Sequence, residues 1–101
     1  MEQPVFLMVE ATPNPEQQEA LQTYLGQAPE ITRSHGGVPV ATYNVEKALD
    51  EQEKPSIFAV FSFPARKSID ALFSDPEYQA LIPARDLAFN HLRYFVVNEK
   101  T

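Results

Sequence analysis

The sequence predicts an α+β fold: a ferredoxin-like βαββαβ sandwich with two helical segments on one face of an antiparallel sheet. Three observations lead there. Four short runs, 4–10, 38–46, 56–63 and 91–99, are dense in Val, Phe and Ile, as strands are. Two intervening stretches repeat apolar residues at helical spacing. Only a charged connection separates the second and third strands, so the middle pair joins without a helix. A chain of 101 residues fits a single domain, 1–101, with no room for a second.

The first strand is "PVFLMVE" (4–10), an almost unbroken apolar run. Asn14 offers a helix cap, with Pro15 at the first helical position and Glu16 in the first turn, where acidic groups complement the positive helix end. Leu21, Tyr24, Leu25, Ala28 and Ile31 keep the helical stripe, and Pro29 should break or kink it. Gly36 and Gly37 end the element. "VPVATYNVE" (38–46) is the second strand, with Pro39 favouring a sheet edge. "KALDEQEKP" (47–55) is a charged connection with room for one helical turn, and "SIFAVFSF" (56–63) is the clearest strand in the chain. "PARKSIDALFSD" (64–75) reads as a short helix burying Ile69, Leu72 and Phe73. A last helix then starts with Asp75 as cap, Pro76 at the first position and Glu77 behind it, and Pro83 interrupts that helix. "HLRYFVVNE" (91–99) closes the sheet.

Composition narrows the function classes. The chain has no cysteine, which excludes thiolate chemistry, cysteine metal sites and a disulfide scaffold. The formal net charge is −6 and the basic residues are scattered, so neither nucleic acid nor an anionic membrane is an expected partner. No apolar run is long enough to span a membrane, and "MEQPVFLMVE" lacks a basic leader, so the expected compartment is the cytoplasm. Two histidines without ligand spacing argue against a metal. Neither a P-loop nor a dinucleotide fingerprint is present, and no cofactor is expected.

The strands are apolar on both parities. In 56–63, Phe58 and Val60 fall on one face while Ile57, Ala59, Phe61 and Phe63 fall on the other. Two helices cover only one face of a sheet, and the other would be an apolar patch too large to leave in water. The expectation is a homodimer in which a second copy covers it.

"SHGG" (34–37) and "FPARKSIDALFSDPEYQALIPARDLAF" (63–89) resemble the domain of unknown function 1330 family. The shared pattern is His-Gly-Gly after the first helix and Phe-Pro closing the third strand. A short helix then leads to Tyr78-Gln79 and Leu81, with a proline and an arginine beyond. The resemblance implies a dimeric α+β barrel. Such proteins often carry Arg-Gly-Gly after the second strand, where this sequence has "ATYNVEKALD".

Candidate site residues are polar groups close to apolar stripes. Arg85 falls between Tyr78, Leu81 and Phe89 on the last helical stretch, where a guanidinium either braces the helix or clamps an anion. His35 extends the first helix's stripe, as a helix-end histidine or as a general base facing a pocket. Tyr78, Asn90 and Tyr43 could line the same cavity, whereas His91 reads as an ordinary strand residue. With a proline break before each of His35 and Arg85, the sequence points to a small pocket between helices and sheet. Its expected occupant is a small organic acid. The alternative is a cofactor-independent isomerase or monooxygenase acting on an enolisable or aromatic compound, with His35 and Arg85 catalytic.

Overall fold

The computed structural model describes residues 4–100. Strands β1 (Val5–Pro13), β2 (Val38–Asn44), β3 (Ile57–Phe63) and β4 (Phe89–Val97) form one antiparallel sheet in the order β2-β3-β1-β4. Helices α1 (Gln18–Ser34), α2 (Arg66–Ser74), α3 (Pro76–Gln79) and α4 (Ile82–Ala88) supply the crossovers. This is the βαββαβ sandwich that the sequence predicts, drawn as a slab of 43 × 35 × 16 Å.

The register explains which residues are buried. Leu7 of β1 stands opposite Phe61 and Val96, Val9 opposite Ala59 and Tyr94, and Ala11 opposite Ile57 and Leu92. These side chains share the helix-covered face, and the core forms where they meet Tyr24, Ala28 and Ile31 of α1, Ile69 and Leu72 of α2, and Tyr78 of α3. The opposite face presents cross-strand rows of its own. One runs Ala41–Val60–Met8–Phe95, and on either side lie Val38–Ser62–Phe6–Val97 and Tyr43–Phe58–Glu10–Arg93. No described helix packs on these rows, and Phe6, Met8, Phe58, Val60 and Phe95 all keep part of their surface exposed. The two-sided apolar pattern therefore corresponds to two real faces.

Two local expectations need correction. Asn14 does not cap α1. Its side chain accepts the Glu16 N–H at 3.0 Å and its backbone N–H donates to the Ala88 carbonyl, so Asn14 and Pro15 form a turn and the helix begins at Gln18. Pro29 does not break α1 either, because the helix runs on to Ser34. Tyr24 and Ala28 before the proline and Ile31 after it are all buried on one stripe, so tertiary packing holds the helix across it. Pro29 itself is exposed, and the turn it disrupts, at half-exposed Leu25, is open to solvent.

The other helix signals behave as expected. Asp75 caps α3 by accepting the Glu77 N–H at 2.8 Å, with Pro76 at the first position. Pro83 stands in the first turn of a new helix, α4, after a jog at Ala80 and Leu81. Gly36 adopts φ +86° and Gly37 lies so close to Phe63 that an added Cβ would stand 2.7 Å from its ring. The pair lets the chain turn from α1 into β2 against the end of β3.

Candidate functional site

A cavity of about 290 Å³ lies between α1 and the sheet. Leu21, Tyr24, Leu25 and Ala28 of α1 form one side, and Val9, Ala59 and Phe61 of the sheet form the other. Its wall is apolar almost throughout. The sequence requires this: the helix stripe and the odd-numbered residues of β1 and β3 are hydrocarbon or aromatic. The space lies beside the small residues Ala28, Ala11 and Ala59. Tyr24 meets Phe89 edge to face at 5.8 Å between ring centres, and Phe73 meets Tyr78 and Tyr94 likewise, each at 5.1 Å, so one end of the cavity is an aromatic cage.

Three phenols meet at that end. The Tyr24 hydroxyl lies 3.0 Å from that of Tyr78 and 2.9 Å from that of Tyr94, and Tyr78 and Tyr94 are 3.2 Å apart. Three hydroxyls sharing three hydrogen bonds use all three protons, so the cluster satisfies itself and shows ring surface to the cavity. Burial pushes the ionisation of Tyr24 and of Tyr94 well above the ordinary tyrosine range, and the neighbouring phenols push Tyr24 further.

Arg85 closes the cluster from the other side. Its Nη1 donates to the Tyr78 hydroxyl at 3.2 Å, and its guanidinium carbon lies 5.8 Å from the Tyr78 ring centre and 6.0 Å from that of Tyr94. Among the described residues, the one carboxylate it contacts is its exposed neighbour Asp86. Nε and Nη2 both donate to the same oxygen, Oδ1, at 3.3 Å. Burial works against the Arg85 charge, but the Tyr78 hydrogen bond and the surrounding groups outweigh it and hold the guanidinium firmly protonated. The group faces a second space, a cleft of about 320 Å³ lined by Arg85, Asp86, Phe89, Leu92 and Tyr94. Phe89, Leu92 and Tyr94 line both spaces and form the boundary between them.

Tyr78 of α3 and Arg85 of α4 are thus brought together across the jog between the two helices. The other three sequence candidates lie elsewhere. His35 lies outside both linings. Its Nε2–H donates to Asp75 Oδ2 at 2.7 Å, the proton being assigned because an ionised carboxylate only accepts. That bond, followed by the Glu77 N–H, holds the Asp75 carboxyl below the usual carboxylate range. Tyr43 is 58% exposed and stands in the helix-free row beside Phe58, while Asn90 is exposed near the start of β4. His91 lies 3.1 Å from Glu10 on that same helix-free face.

Sequence reasoning missed Tyr94 and treated Tyr24 as core. Tyr24 was visible on the α1 stripe as the one residue there with a polar tip. Tyr94 needed the register, which sets it opposite Val9. Among the described residues, no group of three His, Asp or Glu side chains lies close enough to hold a metal ion.

Known proteins share this architecture. The chain matches no curated protein. Its fold is similar to that of a protein of unknown function from Rhodopseudomonas palustris (TM-score 0.83, 17% identity, covering 100% of this chain and 85% of that one). It is similar also to an ethyl tert-butyl ether d (ethd) family protein from Bacillus halodurans (TM-score 0.65, 14% identity, 97% and 100% covered). A third likeness is to SnoaB, a cofactor-independent oxygenase from Streptomyces nogalater (TM-score 0.66, 12% identity, 99% and 96% covered). At these identities the likeness is one of fold. The family model "Domain of unknown function (DUF1330)" matches residues 4–99, nearly the whole chain, and the protein belongs to that family.

Proposed function

We propose that the protein is a cytoplasmic homodimer that binds a small, largely apolar organic molecule in the cavity between α1 and the sheet, an organic acid being the class that Arg85 favours. The observation that carries this reading is an apolar, aromatic-ended cavity abutting a cleft with a guanidinium on its wall. An apolar concavity gains affinity from burial, and a few placed polar groups set orientation. The helix-free sheet face supports the dimer. Burying about 600 Å² of apolar surface per chain is worth on the order of 15 kcal/mol before association costs.

A second reading is a cofactor-independent isomerase or monooxygenase in which Arg85 steadies a developing oxyanion. The fold shared with SnoaB favours it. Binding is the better supported. Among the described residues, the only ionisable side chains on the cavity wall are Tyr24, Tyr78 and Tyr94. Burial makes Tyr24 and Tyr94 poor proton acceptors near neutrality, and the His35 imidazole is engaged by Asp75.

Native mass spectrometry of the purified protein tests the proposal. The expected spectrum shows the mass of two chains with a small organic adduct that denaturation removes. A bare single-chain mass at micromolar concentration overturns it.

A further inference from the structure

Arg85 has more hydrogen-bonding capacity than the fold uses. A guanidinium carries five N–H bonds. Here Nε and one bond of Nη2 go to Asp86, and one bond of Nη1 goes to Tyr78, which leaves one on each Nη without an acceptor among the described residues. The side chain is only 19% exposed, whereas its carboxylate neighbour is 65% exposed and offers a single oxygen. The guanidinium's two remaining N–H bonds are left to the cleft, where water or a ligand can accept them.

We propose that the apolar cavity and the Arg85 cleft are two halves of one site for an aromatic carboxylate of about two fused rings. The ring system lies among Tyr24, Phe73 and Tyr94, and the carboxylate reaches across the Phe89–Leu92–Tyr94 boundary to the two unused N–H bonds. This rests on the binding function proposed above and gives it a substrate class. Size comes from the cavity: about 290 Å³ is roughly twice the ~150 Å³ engineered cavity known to hold benzene. Shape comes from the edge-to-face aromatic cage, which receives a flat ring better than a branched chain. The head group follows from two N–H bonds on neighbouring nitrogens, which match the two oxygens of a carboxylate. A single charge follows from Asp86, whose carboxylate at the cleft repels a dianion such as a phosphate monoester.

The test compares 2-naphthoate with 2-naphthamide, a neutral molecule of nearly the same shape, by isothermal titration calorimetry on the full chain. Naphthoate should bind about tenfold or more tightly than naphthamide, as expected for charge-assisted hydrogen bonds. Arg85→Gln should abolish that preference, with unchanged far-ultraviolet circular dichroism showing that the variant is folded. Equal binding of both ligands to the unaltered protein overturns the carboxylate assignment and leaves the binding function standing. A preference that survives Arg85→Gln overturns the role of Arg85. Binding of neither ligand overturns the proposed function with it. Should Arg85→Gln not fold, the ratio in the unaltered protein still decides the carboxylate question.

Discussion

Arg85 sits where an apolar stripe calls for a hydrocarbon, and the packing around it explains why. Its neighbours are two phenols whose rings cover the guanidinium while the Tyr78 oxygen accepts from it. Asp86 competes for the same cation from the solvent side. Asp86→Asn should therefore tighten naphthoate binding about two- to fivefold, the scale of an exposed ion pair, with no change for naphthamide in the same titration. The phenol cluster makes a different prediction. Because the Tyr24 ionisation is raised in the folded chain, its contribution to stability is complete below the ordinary tyrosine value near 10. That contribution is lost as pH rises beyond it. Tyr24→Phe should cost about 1–2 kcal/mol near neutrality and flatten the alkaline fall in stability, measured by urea unfolding across pH. The sequence pointed to Arg85 and Tyr78 because both fall on one stripe of an uninterrupted helical wheel, although the structure divides them between α3 and α4. It could not reveal the trio, since Tyr24, Tyr78 and Tyr94 meet only once α1, α3 and β4 are assembled.

At the scale of elements, the connections between helices carry as much information as the helices. His35 at the end of α1 and Asp75 at the start of α3 are 40 residues apart in sequence, yet their side chains tie the two segments at 2.7 Å. The Asp75 carboxyl is held below its usual range in the folded chain. Its contribution to stability is therefore present above the ordinary carboxylate value and lost as pH falls through the folded one. His35→Gln should weaken this acid-side dependence, read as a smaller loss of thermal midpoint between about pH 5 and about pH 3, a window around the ordinary value near 4. Pro29 shows where local rules fail. A proline withholds the N–H that Leu25's carbonyl would use, and the sequence alone predicts a break or a kink. Burial of Tyr24, Ala28 and Ile31 on one face overrides it, which a propensity argument cannot weigh without knowing what the stripe meets. Restoring the N–H with Pro29→Ala should stabilise the fold by about 1–2 kcal/mol, part of the propensity difference being offset by a looser unfolded chain. Unfolding in guanidinium chloride would register the gain as a higher midpoint at unchanged slope.

At the scale of the molecule, the order of elements and the two-sided strands were legible because both are periodic and local. The cavity was not, since its volume depends on how α1 tilts over β1 and β3. What the whole molecule adds is a slab 16 Å thick with one face covered by helices and the other built of aligned rows. The central row, Ala41–Val60–Met8–Phe95, has no charge in it, and Glu10, Arg93 and His91 gather toward one end of the face. The proposed two-fold dimer would pack apolar rows on apolar rows and keep the charged end at the rim. Val60 is the position to test, since it lies mid-row on a strand paired on both sides. Val60→Glu sets a carboxylate in the middle of the proposed interface, where two symmetry-related copies would bury like charges against each other. In the free chain the same side chain projects from the helix-free face and disturbs no core contact, because Val60 is absent from the buried core. Sedimentation velocity at micromolar concentration should then show the unaltered protein at the mass of two chains. The variant should sediment as one chain with unchanged far-ultraviolet circular dichroism. A variant that still sediments as two chains would move the interface to another surface.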